Sequence, residues 1–123
     1  VERLLQDAAI VRHRGKIEST INNARRAREL VAETGSLAAF LWRYEPAAAT
    51  RPRRITREVL ASMATSPEST ALSKDLKGRG FTFVGPTTMY AMMQAMGLVN
   101  DHVDTCPARA AALKARAAFS VPR

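Results

Sequence analysis

The sequence holds a single cysteine, Cys106, among 123 residues. One thiol cannot close an internal disulfide, so packing must hold the fold, and a reducing, cytoplasmic setting is expected. Long apolar runs are missing too. Stretches such as Leu37 to Trp42 are broken by charge within a few residues, far short of the roughly 20 apolar residues a bilayer span requires. The first twenty residues carry Glu2, Arg3, Asp7, Arg12, Arg14, Lys16 and Glu18, which is not the composition of a secretory signal. Acids are scarce, 11 against 19 bases, and the formal net charge of +8 favours a polyanionic partner rather than a membrane. No internal repeat and no sustained alternation of apolar and polar residues is present, so strands are not expected. What remains is 46% hydrophobic sequence in a length that suits one domain, with an all-α fold. Val1 to Ala9 reads as the interior of a folded sequence, as in a fragment.

Ile17, Ile21, Ala24, Ala27 and Val31 recur at helical spacing, which predicts an amphipathic helix over about 15–33 with this face inward. Arg25, Arg26 and Arg28 lie on its other side, and Gly35 suits a left-handed C-terminal cap. Ser36 is an N-cap for a short helix from Leu37 to Trp42. Residues 45–54, with Pro46, Pro52 and three arginines, read as a loop and the best candidate for a mobile segment. Thr56 suits the start of a turn or two through Val59, Leu60 and Met63. Ser66, Pro67 and Glu68 then form a helix start, with a cap, a proline at the first position and an acid facing the helix dipole. That helix runs to Lys77, with Leu72 and Leu76 inward, and Gly78 and Gly80 stop it. Phe81, Phe83 and Val84 supply apolar anchors, and Gly85 and Pro86 open a second helix bearing Tyr90, Met93 and Met96 on one face. The product is a helix-hairpin-helix unit over about 67–97. Residues 108–123 form a basic, Ala-rich tail of high helix propensity.

Glycines flanking a hairpin let backbone approach a phosphate, and the first amides of the second helix face an anion. An ordinary helical hairpin, with Gly78 as cap and Phe81 and Phe83 as core, accounts for the same spacing. His102 and Cys106, with three residues between them, are within reach of one tetrahedral zinc. Two ligands do not complete a site, and a buried thiol beside a capping histidine fits the spacing better. Asp101 reads by default as an N-cap, and Trp42 as core rather than a base-stacking ring. Met89, Met92, Met93 and Met96 fill gaps along one helix. Arg51, Arg53, Arg54 and Arg57 either touch phosphates or are simply solvated.

Val1-Glu-Arg-Leu-Leu-Gln-Asp-Ala8, Ile10-Val-Arg-His-Arg-Gly-Lys-Ile17, Ala71-Leu-Ser-Lys-Asp-Leu76, Arg79-Gly-Phe81 through Gly85, and Met93-Gln-Ala-Met-Gly-Leu-Val-Asn-Asp-His-Val103 together resemble the DNA-3-methyladenine glycosylase I family. This family lies within the helix-hairpin-helix glycosylase superfamily. The resemblance covers residues 1–107 and looks like the carboxyl-terminal two-thirds of such a protein. It implies a helical bundle in which Arg79, Gly80, Phe81, Gly85 and Thr87 meet double-stranded DNA containing alkylated adenine. It also implies a structural zinc held by His102 and Cys106, with a further cysteine and histidine supplied from the family's N-terminal part. The catalytic glutamate and the aromatic base pocket belong to that part as well, so the fragment is expected to be inactive alone.

In bifunctional relatives a lysine stands two residues after the last hairpin glycine and attacks the sugar. Here that position is Thr87, and Asn100 stands where many members place a catalytic aspartate. The resemblance therefore implies a monofunctional, monomeric glycosylase of base-excision repair that hydrolyses the N-glycosidic bond of 3-methyladenine. A non-catalytic helix-hairpin-helix DNA-binding module is the alternative, and a zinc-stabilised interaction domain without DNA affinity is a third.

Overall fold

A computed structural model describes residues 1–123. It is all-α: α1 (Glu2–Leu5), α2 (Arg14–Thr34), α3 (Leu37–Trp42), a 3₁₀ turn (Ala48–Thr50), α4 (Arg57–Ala61), α5 (Pro67–Gly78), α6 (Pro86–Met96) and α7 (Ala108–Ala118). No helix is long and apolar enough to cross a membrane.

Local signals set most boundaries. Ser36 and Thr56 accept from the backbone N–H groups of Ala39 and Val59, and Ser66 and Ser69 form a reciprocal capping box at the start of α5. α5 and α6 end alike. Gly80 N–H bonds to Lys77 O and Phe81 N–H to Leu76 O, and Gly97 and Leu98 repeat the pattern on Gln94 and Met93. This paired closure needs a residue with positive φ after the helix, so the stop of α5 is Gly80, while Gly78 is its last helical residue.

One core cluster joins Leu30, Phe40, Leu72, Leu76, Val84 and Met89, and a second joins Tyr90, Met93, Leu98 and Val99. α6 serves both, with half-buried Met92 touching each. Met96, expected to share the face of Tyr90 and Met93, is exposed; its place is taken by Leu98 and Val99, which fold back past the Gly97 cap.

α2 departs from its expected orientation. Ile17 is buried, but Ile21 and Val31 are exposed, and Ser19 is buried instead. The surface opposite the first half of α2 is hairpin backbone, whose carbonyl and amide groups need polar partners rather than an apolar stripe, while Leu30 farther along joins the main core.

Residues 45–54, expected to be mobile, are pinned. Pro46 is buried, Arg51 pairs with Asp101, and Arg54 with Asp104. The tail is docked as well: Arg116 Nε and Nη2 each donate to Glu45 at 2.6 Å, and the Phe119 ring lies 4.9 Å from that of Trp42. Trp42 thus belongs to the packing, as expected.

Candidate nucleic-acid interface and metal-ligand pair

The hairpin between α5 and α6 is held from α2. Asn23 pairs with Thr82 as a neighbouring strand would, accepting from its N–H at 2.9 Å and donating to its carbonyl at 2.8 Å. Asn22 donates to Gly80 O at 2.9 Å, and Ser19 donates to Thr82 O at 3.2 Å. Sequence reasoning missed this clamp. Its signal was two adjacent asparagines inside a long helix, where their propensity is poor and a tertiary role is the natural explanation.

The two hairpin glycines have different reasons. Gly80 has φ +82, where a side chain is strained, and a β-carbon there would lie 2.9 Å from Arg26 Nε, so a substitution would also push the Arg26 side chain aside. Gly85 has an ordinary φ of −63°, and a β-carbon there would meet nothing within 4 Å. Nothing inside the chain calls for glycine at 85. The helix it opens has no side-chain cap, and Pro86 carries no N–H, so the amides of Thr87 and Thr88 begin α6 beside an open backbone. Thr87 is exposed, whereas Phe81 packs on the main core.

Arg79, expected to add charge at this site, is half-exposed and engaged by the protein's own side chains. It pairs with Glu33 at 2.7 Å and Asp75 at 2.9 Å, and its guanidinium lies over the Phe40 ring. Asp75 also accepts from Tyr44 at 2.5 Å. That bond, followed by Arg79, holds the carboxyl below its usual range, while burial first and then Asp75 push the Tyr44 phenol up to about 12. Two carboxylates thus take up the Arg79 charge. Uncommitted positive charge near the hairpin comes from exposed Lys77 in the last turn of α5 and from Arg12 and Lys16 at the start of α2.

At the other end of α6, Cys106 Sγ lies 3.6 Å from His102 Nδ1. Two tetrahedral zinc ligands, with bonds of about 2.3 Å to sulfur and about 2.0 Å to nitrogen, stand about 3.5 Å apart, so this pair fits one edge of such a site. No group of three or more His, Cys, Asp or Glu residues converges anywhere in the chain. His13, the other histidine, caps α2 by accepting from Lys16 N–H. The turn carrying the pair is braced by its own side chains: Asn100 accepts from His102 N–H, and Arg109 donates to His102 O at 2.7 Å. Across from it, Asp104 accepts from Ile55 N–H, the main reason its carboxyl lies below the usual range.

Asp101 is not an N-cap. No helix begins until Ala108, and the Asp101 side chain is only 5% exposed. It is ion-paired with Arg51 and accepts from Tyr90 Oη at 2.7 Å and Gln94 Nε2 at 2.8 Å. Burial, then Asp101, raises the Tyr90 phenol. Of the four loop arginines, Arg51 is thus engaged within the protein, Arg54 pairs with Asp104 at the surface, and Arg53 and Arg57 are exposed.

Comparison with known proteins agrees with this arrangement. A family described as methyladenine glycosylase matches residues 1–110. DNA-3-methyladenine glycosylase 1 of Escherichia coli (strain K12) is 47% identical over 107 residues, 86% of this chain and 56% of that protein. DNA-3-methyladenine glycosylase of Haemophilus influenzae is 38% identical over 112 residues, 89% of this chain and 58% of that one. A crystal structure of 3-methyladenine DNA glycosylase I superposes with TM-score 0.72 at 44% identity, covering 86% of this chain and 57% of the other. The Staphylococcus aureus 3-methyladenine DNA glycosylase I gives TM-score 0.74 at 34% identity, covering 88% and 56%. The chain spans a little over half the length of these relatives. With its hairpin unit and most of its length within the match, it belongs to the methyladenine glycosylase family.

Proposed function

We propose that this chain is the DNA-backbone-binding part of a monofunctional glycosylase that takes 3-methyladenine out of alkylated duplex DNA and hydrolyses its N-glycosidic bond. The observation that carries the reading is Gly85: an open backbone position beside the uncapped start of α6, for which the fold itself has no need. A phosphate accepted there would fix the duplex without reading its sequence. The names of the relatives, and the solved complex of one Staphylococcus aureus variant with 3-methyladenine, support the substrate class.

The chemistry follows from what stands near the hairpin. Thr87 offers no amine to attack the sugar, so the deoxyribose backbone stays intact. Asn100 is occupied with His102 and Arg109 and cannot act as an anionic base. A cationic lesion such as 3-methyladenine has a glycosidic bond already weakened, so binding the flipped base and stabilising sugar charge supply much of the rate. His102 and Cys106 would be two of four ligands to a zinc that ties distant chain segments together, a structural clip with no open position for catalysis.

Because Gly85 has an ordinary backbone conformation, Gly85→Leu leaves the fold intact and tests the site directly. Affinity for any duplex should fall, and wild-type binding should weaken steeply with salt as phosphate counterions are released. The 123-residue chain should release no base from a duplex carrying 3-methyladenine and leave no strand breaks. Salt-independent binding, or a Gly85→Leu chain that binds as well as wild type, overturns the reading.

A further inference from the structure

We propose that Phe83 is a DNA contact: its ring packs against the deoxyribose edge of the strand whose phosphate lies at the start of α6, between the Gly85 site and the basic entry to α2. The proposal rests on the DNA-binding reading of the hairpin.

Phe83 is the one non-glycine residue in the chain with positive φ, at 58°, and its side chain is 59% exposed. The fold accounts for the turn at this position but not for an exposed aromatic side chain in it. An aromatic residue is strained in this region, where glycine is at ease, and such strain persists only where neighbours enforce it. Those neighbours are identifiable. Thr82 is bonded to Ser19 and Asn23 of α2, and Val84 is buried in the main core. Between two anchored residues, residue 83 must turn outward, and glycine there would satisfy the backbone without exposing a ring. The apolar anchoring expected of Phe83 is supplied by Phe81 and Val84 alone.

The ring is placed beside charge. Phe83 Cζ lies 3.7 Å from where a β-carbon on Gly15 would stand, so it leans over the first turn of α2. Arg14 is paired there with Glu2 and Glu18, whereas Arg12 and Lys16 are exposed and meet no carboxylate. An exposed apolar ring leaning on a helix start where Arg12 and Lys16 are exposed, two residues before an open helix start of its own, fits a polymer whose surface alternates anionic phosphates with apolar sugar faces.

Fluorescence anisotropy of a labelled duplex, with wild type, Phe83→Gly, Phe83→Tyr, Lys16→Ala and Gly85→Leu, tests this. Phe83→Gly should weaken binding about tenfold, the loss of one well-packed apolar contact, with its salt slope unchanged and its thermal midpoint equal or higher. Phe83→Tyr should bind like wild type, and Lys16→Ala should lower the salt slope by about one. If Phe83→Gly binds like wild type while Gly85→Leu does not, the Phe83 contact fails and the hairpin reading stands; if neither changes, both fail. A Phe83→Gly chain whose melting point falls with its affinity would make Phe83 structural. Loss of self-association, or of binding to anionic vesicles, with DNA affinity unchanged would assign the ring to a second copy or to a lipid surface and overturn the proposal.

Discussion

The turns at the two ends of α6 are shaped with equal care, yet they differ in what they offer a ligand. The hairpin before α6 presents backbone, and everything that positions it lies in this chain: Ser19, Asn22 and Asn23 beneath, the Gly80 closure on one side and Gly85 on the other. The turn after α6 presents two side chains, His102 and Cys106, set at ligand spacing by Asn100 and Arg109 but joined by no third donor. A backbone anion site is contiguous in sequence, so a piece of the protein can hold all of it. A tetrahedral metal site gathers side chains from distant positions, and this turn brings together two residues of ligand type.

The sharpest test of that contrast is Asp101, which fastens the second turn to α6 and to the 45–54 segment. Asp101→Ala leaves the guanidinium of Arg51 and the hydroxyl of Tyr90 without their common acceptor in a nearly buried setting. A loss of about 3 kcal/mol is expected, read from urea unfolding, with Asp101→Asn falling between. A change under about 1 kcal/mol would mean that the turn holds its shape without this network.

Asn23→Ala is the matching lesion on the hairpin side. It removes both bonds to Thr82 and should cost about 1–2 kcal/mol. The hairpin should loosen and duplex affinity fall, while the His102 ring resonances, at the far end of α6, should not move. Movement of those resonances would show the two turns to be coupled through the helix, and the comparison between them would lose its force.

The same contrast separates what the sequence could convey from what it could not. Ser36, Thr56, Ser66, Gly35 and Gly97 act within one turn of where they stand, so the helix boundaries were legible. The face of α2 was not, because counting apolar residues assumes an apolar partner, and the partner of its first half is the polar backbone of the hairpin. The partners of Arg79, and the buried role of Asp101 in place of the expected N-cap, were hidden for a related reason: the carboxylates and phenols that engage them are brought near only by folding. The positive φ of Phe83 left no local mark, since the residue type argues against the conformation.

The smallest expected effect belongs to the proposed metal pair, His102 and Cys106. A ligand stabilises a fold by an amount set by its concentration relative to its dissociation constant, so zinc held near that constant by two ligands contributes about 0.4 kcal/mol. In a domain of this size that raises the melting temperature by only about 1–2 °C. Calorimetry of the 123-residue chain with and without zinc should find a shift no larger than this, and elemental analysis should find no stoichiometric metal after dialysis. Cys106→Ser should abolish the small shift without altering the metal-free melting point, because the half-buried thiol lies outside both core clusters. In a longer chain that brings two more ligands to the same edge, the shift should become large, since closing the sphere also ties distant segments together. Tight stoichiometric zinc in the 123-residue chain would show that His102 and Cys106 already belong to a complete site, and the metal turn would then be as self-contained as the hairpin.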